Sequence, residues 1–227
     1  MSPTFQKIEP VSKKTRIVAQ LKEAVISGTI KSGEQIVEGK IAQQFGVGQG
    51  LIREALIELE HQGFVQRTPF AGTQVSKLSM EDAQQIFEIR IELEPLAFFL
   101  AGLHGSAQLL AESKQLAEQA KRAARAQDLE AFFSHHLNFR KSIWKASGNK
   151  FLHQTLERIV VPLYALYFIR LPHNTDGILQ TTIDCIGHQD RILAAYDQKD
   201  FEEARRVARE FLVKMKGYLG TRLVTTE

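Results

Sequence analysis

Three residues at fixed separations, Ala42, Gly46 and Ile52, restrict how residues 38–62 can fold. Two helices that cross steeply need a small side chain where they touch, and Ala42 provides one. The tight turn between the helices needs a residue that tolerates a positive φ, which is a property of Gly46. Ile52 then supplies a branched apolar anchor for the second helix. This spacing predicts a helix-turn-helix, a motif whose second helix fits the major groove of DNA.

The residues after the second predicted helix favour a DNA-binding motif over a plain helical hairpin, which the spacing alone also allows. Residues 64–67 and 73–75 have the composition of short strands, and the five residues between them, Thr-Pro-Phe-Ala-Gly, are typical of a turn. A β-hairpin directly after a recognition helix is a wing. With one more helix beginning at about Thr15, we predict a three-helix winged helix-turn-helix domain over residues 10–77.

The excess positive charge of the chain lies in this first domain. Residues 1–77 contain ten Lys and Arg against seven Asp and Glu, whereas residues 78–227 contain nineteen of each. The whole net charge of +3 therefore belongs to the N-terminal third. Such a distribution is consistent with contact to a polyanion such as DNA.

Composition narrows the cellular setting of the protein. No run approaches the roughly 18 apolar residues that cross a bilayer, and residues 1–10 lack the apolar core of a secretory signal. We therefore expect a cytoplasmic protein without a membrane partner. The single cysteine, Cys185, excludes an intrachain disulfide framework and a cage of several thiolates around a metal.

Residues 79–224 show helical periodicity and no alternation typical of a strand. Ser79 is followed by Glu81 and Asp82, a sequence that typically caps the start of a helix. The first helix extends from there to about Gly102. Five further helices are predicted at about 106–127, 129–146, 150–171, 178–197 and 200–222. Helices with shared apolar faces form bundles, so the predicted fold class is mainly α, with an antiparallel six-helix bundle after the winged domain.

Several residues of the first domain match a known pattern. They are Gly28, Gly33-Glu34, Glu38, Ile41-Ala42, Phe45-Gly46-Val47, Ile52-Arg53-Glu54-Ala55-Leu56, Leu59-Glu60, Gly63-Phe64-Val65, Gly72 and Val75. On these residues, the stretch from about 15 to 75 resembles the DNA-binding domain of the GntR family of bacterial regulators. The resemblance implies a regulator of transcription and not an enzyme.

The chain departs from that family at positions that usually contact DNA. Family members usually carry Ser or Thr and then Arg where this chain has Gly48 and Gln49, and many carry Arg at the position of Gly39. The loss of two arginines implies weaker DNA binding with a smaller dependence on salt. Arg53 is then the main candidate for a guanine or phosphate contact, and Gln49 for an adenine contact. The full set of predicted DNA-contacting residues is Lys40, Gln49, Gly50, Arg53, Arg67 and Gly72.

Residues of the helical region match a second pattern. They are Phe87-Glu88-Ile89-Arg90, Leu93-Glu94-Pro95-Leu96, Ala146-Ser147-Gly148-Asn149, His188, Ile192-Leu193-Ala194-Ala195 and Asp200. These residues make the region 79–224 similar to the effector domain of the FadR branch of the family, called FCD, in its six-helix, VanR-like form. The resemblance implies that this domain binds a small molecule and joins two chains into a homodimer.

The FCD resemblance also implies four positions that often hold a divalent metal ion. In this chain they are occupied by His136, Arg140, His188 and Glu210, and only His188 keeps the usual residue. Arg140 has no lone pair to donate, and its fixed positive charge repels a cation. We therefore expect no cofactor, with a divalent metal disfavoured by Arg140. If a metal is bound, His136, His188 and Glu210 are the remaining ligands.

Arg140 lies one helical turn from His136 on a predicted apolar face, so its charge needs a partner. Glu210 is one candidate and would form a buried structural ion pair. The carboxylate of a ligand is the other candidate, because arginine binds carboxylates through two parallel hydrogen bonds. The sequence leaves both alternatives open. The predicted effector-binding set is Arg90, His136, Arg140, Asn149, His188 and Glu210.

These features together predict a homodimeric repressor that binds a pseudo-palindromic DNA operator and responds to a small organic acid. A metal-dependent enzyme built on the two histidines and Glu210 is a second hypothesis, but no nucleophile or base motif accompanies those residues. A third hypothesis is a regulator that has lost DNA binding through Gly39, Gly48 and Gln49 and serves as an interaction module.

Overall fold

The computed structural model describes residues 12–27, 29–68, 71–170 and 175–222. The chain divides into two compact units, and the boundary along the sequence lies between Lys77 and Leu78. Gly28 of the GntR-like pattern, residues 69–70 of the predicted hairpin turn and the predicted outer domain limits at 10 and 224 lie outside the described residues.

Both units contain the predicted elements, and the first unit has one further short strand. The first unit contains α1 (Lys13–Ile26), β1 (Gln35–Ile36), α2 (Glu38–Phe45), α3 (Gln49–His61), β2 (Val65–Thr68) and β3 (Gly72–Val75). The second unit contains α4 (Met80–His104), α5 (Ala107–Arg125), α6 (Leu129–Ala146), α7 (Lys150–Arg170), α8 (Thr175–Asp197) and α9 (Phe201–Arg222). The mainly helical fold class, a winged helix-turn-helix followed by six helices, is therefore confirmed.

The helix-turn-helix forms at the three residues whose spacing predicts it. Gly46 ends α2 with φ 62° and ψ 39°, in the left-handed region where glycine has no steric penalty. Ala42 and Ile52 are both buried in the core of the unit. α1 packs against α3 and contributes Leu21 and Val25 to the same core. The recognition helix α3 is thus supported from one side, and its other side stays exposed.

A three-stranded antiparallel sheet completes the first unit, with the strand order β1-β3-β2. β2 and β3 form the predicted hairpin, in which Val65 lies opposite Val75 and both side chains are buried. β1 pairs Gln35 with Gln74 of β3. The sequence pattern does not predict β1, because two residues are too short to show an alternation of apolar and polar side chains.

The second unit is a helical bundle in which α6 has an extensive buried face. α6 buries ten side chains, among them Phe132, Phe139 and Trp144. α4 packs against α9, α6 and α7, and α5 packs against α6 and α8. The start of α4 carries the predicted cap, because Ser79 Oγ accepts a hydrogen bond from the backbone N–H of Asp82 at 3.0 Å. None of the described helices has the length and apolar character that a membrane crossing requires.

Candidate functional site

The first candidate site is the exposed surface of the helix-turn-helix and the wing. Gln49 and Gly50 begin α3 and are exposed, and Arg53 follows one turn later with 56% of its side chain exposed. Lys40 is exposed on α2, whereas Arg67 on β2 is half-buried. The predicted DNA-contacting residues of α3 therefore face solvent.

Arg53 forms an ion pair with Glu38. Glu38 belongs to the GntR-like pattern, but the sequence does not identify it as the partner of Arg53. Arg53 Nη2 donates to Glu38 Oε2 at 2.9 Å, and its Nε donates to the same oxygen at 3.2 Å. These hydrogen bonds, together with the negative charge of Glu38, raise the pKa of Arg53 above its ordinary value. Glu38 is the first residue of α2, so the ion pair joins the two helices of the motif and directs the guanidinium group of α3.

The two unusual residues Gly39 and Gln49 are neighbours in the structure. A Cβ atom at Gly39 would lie 3.3 Å from Nε2 of Gln49, so the Gln49 amide occupies the space beside the glycine. A larger residue at position 39 would have to move that amide. A Cβ atom at Gly48 or Gly50, by contrast, would meet open space. The two departures from the family pattern, at Gly39 and Gln49, are therefore structurally coupled, and the two missing arginines are not independent changes.

The turn of the wing requires glycine at position 72. Gly72 has φ 89°, and a Cβ atom there would lie only 2.9 Å from Nε2 of Gln35. The same nitrogen donates to the carbonyl oxygen of Ala71 at 2.6 Å, so β1 holds the turn in place. The backbone N–H of Arg67 donates to Oε1 of Glu60 on α3 at 3.2 Å. The wing is thereby connected to both β1 and the recognition helix.

The second candidate site is a cluster of charged side chains in the core of the helical bundle. Arg90 and Glu94 on α4 and Arg140 on α6 have side chains that are 4%, 0% and 0% exposed. Arg90 Nε donates to Glu94 Oε1 at 2.5 Å, and Arg140 Nε donates to Glu94 Oε2 at 2.8 Å. Nη2 of Arg140 donates to the same oxygen of Glu94. One carboxylate thus receives both guanidinium groups.

Two histidines lie beside Arg140 in this cluster. Nε2 of His188, on α8, is 3.4 Å from Nη1 of Arg140, and His136 precedes Arg140 by one turn of α6. Burial, and then the positive charge of Arg140, hold the pKa of both imidazoles well below the ordinary value. Both histidines are therefore neutral at pH 7. Their Nδ1 atoms are buried and have no hydrogen-bond partner among the described residues.

Glu94 stays ionised although it is fully buried. Burial alone would raise its pKa, but the adjacent charges of Arg140 and Arg90 outweigh burial and hold the pKa below the ordinary value. Cys185 on α8 shows the opposite balance, because burial raises the pKa of its thiol to about 12. Burial also raises the pKa of the Tyr164 hydroxyl. At neutral pH the cysteine and the tyrosine are therefore uncharged.

A small cavity adjoins the cluster. Its volume is about 20 Å³, which is enough for roughly one water molecule. Arg90, His136 and Tyr164 contribute to its polar lining. Arg140 and His188 contact the same charged cluster. The structure therefore brings together four of the six predicted effector-binding residues, Arg90, His136, Arg140 and His188.

Glu210 lies away from the cavity, on the exposed face of α9. Its carboxylate accepts hydrogen bonds from Arg206 Nη1 at 2.6 Å and from Arg191 Nη2 at 3.1 Å. The ion pair between Arg140 and Glu210, one of the two alternatives for Arg140, is therefore wrong, and Glu94 takes that place. The reason is the helical period of α9, which puts position 210 opposite the buried stripe. That stripe consists of Ala204, Val207, Ala208, Phe211, Leu212 and Met215.

Asn149 is also outside the cavity. It is exposed, and its Oδ1 accepts a hydrogen bond from the backbone N–H of Leu152 at 3.1 Å. Asparagine directly before a helix commonly has this capping role. The predicted place of Asn149 in the pocket lining is therefore wrong, and the residue stabilises the start of α7.

The residues of the cluster do not fit the divalent metal that the FCD resemblance implies. The guanidinium of Arg140 lies against His188, so a metal ion bound to that histidine would meet a fixed positive charge. The carboxylate of Glu210 is at the surface. Across the part of the chain that the structure describes, no group of three His, Cys, Asp or Glu side chains is arranged to hold a metal ion. A metal-free FCD domain stays a prediction.

Comparison with known proteins identifies both units. Residues 13–75 match the family described as bacterial regulatory proteins, gntR family. Residues 85–214, more than half of the chain, match the FCD domain. The chain belongs to the GntR family and carries an FCD domain. Its assignment to this family of regulators, as the sequence pattern predicts, is confirmed.

Similar GntR-type regulators extend over most of the chain. The chain is 26% identical over 211 residues to the HTH-type transcriptional regulator McbR of Escherichia coli, spanning 92% of this chain and 94% of McbR. The solved structure of E. coli McbR/YncC is similar with a TM-score of 0.67 at 25% identity, covering 94% of this chain and 100% of that one. The uncharacterized HTH-type transcriptional regulator YdhC of Bacillus subtilis is 29% identical over 188 residues, 82% of each chain.

A relative with a named regulatory role covers a smaller part of the chain. The gluconate operon transcriptional repressor of Bacillus licheniformis is 26% identical over 137 residues, which are 60% of this chain and 56% of that protein. These families and relatives are regulators of transcription and not enzymes. The protein is therefore a GntR-family transcription regulator, and the hypothesis of a metal-dependent enzyme is wrong.

Proposed function

We propose that this regulator is a homodimeric repressor that binds a pseudo-palindromic operator and changes its affinity for that operator when a small carboxylate binds inside the FCD domain. The observation that carries the proposal is the presence, in one chain, of an exposed recognition helix and of a bundle core that buries two arginines beside a cavity. The repressor named among its relatives supports the direction of regulation.

α3 supplies the contacts to DNA bases in this proposal. Arg53 extends from the exposed face, and Glu38 fixes its direction before DNA binds, which reduces the entropy lost on contact. Arginine reads guanine through O6 and N7, and glutamine reads adenine through N6 and N7, so Gln49 is the second base-reading candidate. We assign Lys40 on α2 and Arg67 on the wing to phosphate contacts, which position the protein without specifying sequence.

A homodimer suits the length of DNA that one α3 can contact. A single recognition helix reads one half-site, and two helices related by two-fold symmetry read half-sites about 34 Å apart. Such a dimer recognises a pseudo-palindromic sequence. With Gly39 and Gln49 in place of the usual arginines, each head binds weakly, so stable operator binding requires both heads at once.

The effector site in this proposal is the cavity beside Arg90 and His136. A carboxylate there would compete with Glu94 for the buried arginines, because both offer the same oxygen acceptors. Glu94 belongs to α4, the helix that begins at Met80, three residues after the end of the DNA-binding unit at Lys77. Exchange of the arginine partner would therefore act on α4. A ligand changes operator affinity only if it binds two arrangements of the protein unequally, and this exchange is a source of that inequality.

Operator binding can be tested by fluorescence anisotropy with DNA from upstream of the protein's own gene, over about 50 to 200 mM salt. Arg53→Ala should weaken specific binding by about tenfold or more, the usual effect of losing a base-reading arginine. Arg158→Ala, which removes an exposed arginine of α7, is the control and should have no effect. A dimer that prefers no duplex over random competitor, even at low salt, would contradict the proposal.

The effector part has its own test. A panel of small carboxylates is titrated against the protein–operator complex, with wild type and Arg140→Met compared. We expect wild type to change its operator affinity with at least one acid and the variant to lose that response while still binding DNA. An unchanged response in Arg140→Met would remove the cavity from the proposal.

A further inference from the structure

The buried cluster of the FCD unit carries more positive than negative charge. Arg90 and Arg140 each contribute one positive charge, and Glu94 contributes one negative charge through hydrogen bonds to both. All three side chains are at most 4% exposed, so water screens them little. The cluster therefore holds one net positive charge in the protein interior.

Nearby groups in the described parts of the chain do not supply the missing negative charge. Cys185 and Tyr164 lie close to the cluster, but burial raises the pKa of both, so they keep their protons at neutral pH. Asp184, the neighbour of Cys185, pairs with Lys214 at 2.8 Å. Glu210 pairs with two arginines at the surface. Among the side chains that the structure describes, the buried positive charge is thus unbalanced.

The unbalanced charge and an unpartnered nitrogen meet at the same cavity. Arg90 and His136 both line the space of about 20 Å³. His136 is 2% exposed, and its Nδ1 has no hydrogen-bond partner within the described chain. A buried guanidinium without a full counter-charge is strongly unfavourable, and so is a buried polar atom without a partner. An anion in the cavity would relieve both conditions.

From this geometry we propose that the cavity is a monoanion site, which takes an effector with one negative charge and an apolar body. The inference rests on the effector part of the proposed function and names the chemical class of the ligand. A single negative charge brings the cluster to neutrality. A dianion would leave an excess negative charge in the core, and a neutral compound would leave the positive charge in place.

The remaining lining selects the uncharged part of the ligand. Phe87, Phe133, Phe211 and Met215 form the apolar part of the wall. A sugar acid would bury several hydroxyl groups, and the two hydroxyl side chains of the lining, Thr181 and Tyr164, cannot partner all of them, which is costly. An aliphatic or aromatic monocarboxylate has no such groups. Formate and acetate need the least rearrangement of the small cavity, and a larger acid requires movement of a flexible side chain such as Met215.

Ligand binding to the full-length protein tests the charge class. Isothermal titration calorimetry compares acetate and benzoate with neutral benzamide, dianionic phthalate and the sugar acid gluconate. The buffer is kept low in chloride, because chloride is itself a monoanion. We expect acetate or benzoate to bind at least tenfold more tightly than the other three compounds and to raise the unfolding temperature.

The contrary outcomes separate this inference from the proposed function. Tighter binding of phthalate than of both monocarboxylates, lost in Arg140→Met, overturns the monoanion site but leaves a carboxylate effector in place. Tighter binding of gluconate, which is itself a monoanion, overturns the apolar body of the proposed ligand. If none of the anions binds and none changes operator affinity, the monoanion site and the effector part of the proposed function both fail.

A charge-removing variant separates a ligand site from a purely structural ion cluster. Arg90→Met makes the cluster neutral without a ligand, so we expect at least a tenfold loss of benzoate affinity and no fall in the unfolding temperature of the ligand-free protein. If Arg90 serves only the fold, the variant lowers the unfolding temperature and leaves the ratio of benzoate to phthalate affinity unchanged, which overturns the inference. Arg158→Met, at an exposed position of α7, is the matched control and should change neither quantity.

The reverse charge change gives a second measurement. Glu94→Gln leaves two positive charges in the cluster and should shift the preference at least tenfold towards phthalate. A preference for benzoate that stays as in wild type would count against the monoanion site. Should this variant fail to fold, Arg90→Met decides the question alone.

Discussion

Acidification should destabilise the FCD domain through two buried histidines. His136 and His188 are only 2% and 4% exposed. Burial, and then the charge of Arg140, hold their pKa well below the ordinary value of 6.5. In the unfolded chain both imidazoles regain a pKa of about 6.5. Below that pH the unfolded state binds more protons than the folded state, so the free energy of unfolding falls as the pH drops.

The size of this loss follows from the unfolded-state pKa while the folded imidazoles stay neutral. At pH 5.5, one unit below that pKa, each histidine lowers the free energy of unfolding by about 1.4 kcal/mol. The two histidines together account for about 3 kcal/mol, a large share of the roughly 5–15 kcal/mol that stabilises a typical protein. Glutamates contribute little in this window, because their ordinary pKa of 4.5 lies a full unit lower.

Urea denaturation at pH 7.5 and at pH 5.5 measures the loss, at one fixed protein concentration because an oligomer gains stability with concentration. His136→Gln and His188→Gln should each remove about half of the acid-induced loss, whatever their stability at pH 7.5. His61→Gln, which removes an exposed histidine of α3, should leave the loss unchanged, and so should EDTA. If the wild type loses no more stability on acidification than a variant that combines His136→Gln with His188→Gln, the reasoning is refuted.

Three further predictions concern the wing, the buried cluster and the recognition helix. Gly72→Ala should destabilise the DNA-binding unit by about 1–2 kcal/mol and weaken operator binding, because alanine is strained at φ 89°. Gly50→Ala is the control, at a helical position where a Cβ atom meets open space, and it should be neutral or stabilising by up to about 1 kcal/mol. Thermal unfolding compares the two variants, and equal shifts of the unfolding temperature would contradict the role assigned to Gly72 in the turn. In urea, Glu94→Ala should lower the free energy of unfolding by about 3–5 kcal/mol, because it leaves buried arginines unpaired. Glu210→Ala should lower it by less than about 1 kcal/mol, and the reverse order would show that the carboxylates are wrongly placed. Gln49→Arg should steepen the salt dependence of operator binding by about one charge; anisotropy across a salt series measures it, and an unchanged slope would place residue 49 away from the phosphates.

The parts of the fold that depend on residues close together in the sequence could be predicted. The spacing of Ala42, Gly46 and Ile52 predicts the helix-turn-helix, because each residue meets a steric need of that turn. The cap at Ser79 is equally local. β1 could not be predicted, since its two residues become a strand only by pairing with β3, far along the chain.

The burial of Arg140 could be predicted, whereas its partner could not. The apolar period of α6 places Arg140 in the core, but the contact with Glu94 depends on how α4 packs against α6, which the period of a single helix does not contain. The family position suggests Glu210 as partner, although the buried stripe of α9 already puts that residue on the outside. Asn149 is also assigned to the pocket from its position in the family pattern. Its place directly before α7 instead indicates a helix cap.

The contact between Gly39 and Gln49 couples a residue that has no side chain to one that is expected to read a base. Any side chain introduced at position 39 displaces the Gln49 amide, so operator preference would change at a base pair that the new side chain never touches. The effects of replacing the two residues should then differ from the sum of the single replacements, as is usual for residues in contact. To redirect this regulator to the operator of a relative, positions 39 and 49 therefore have to be replaced together. A variant with only one of the two replacements has a recognition surface that matches neither protein.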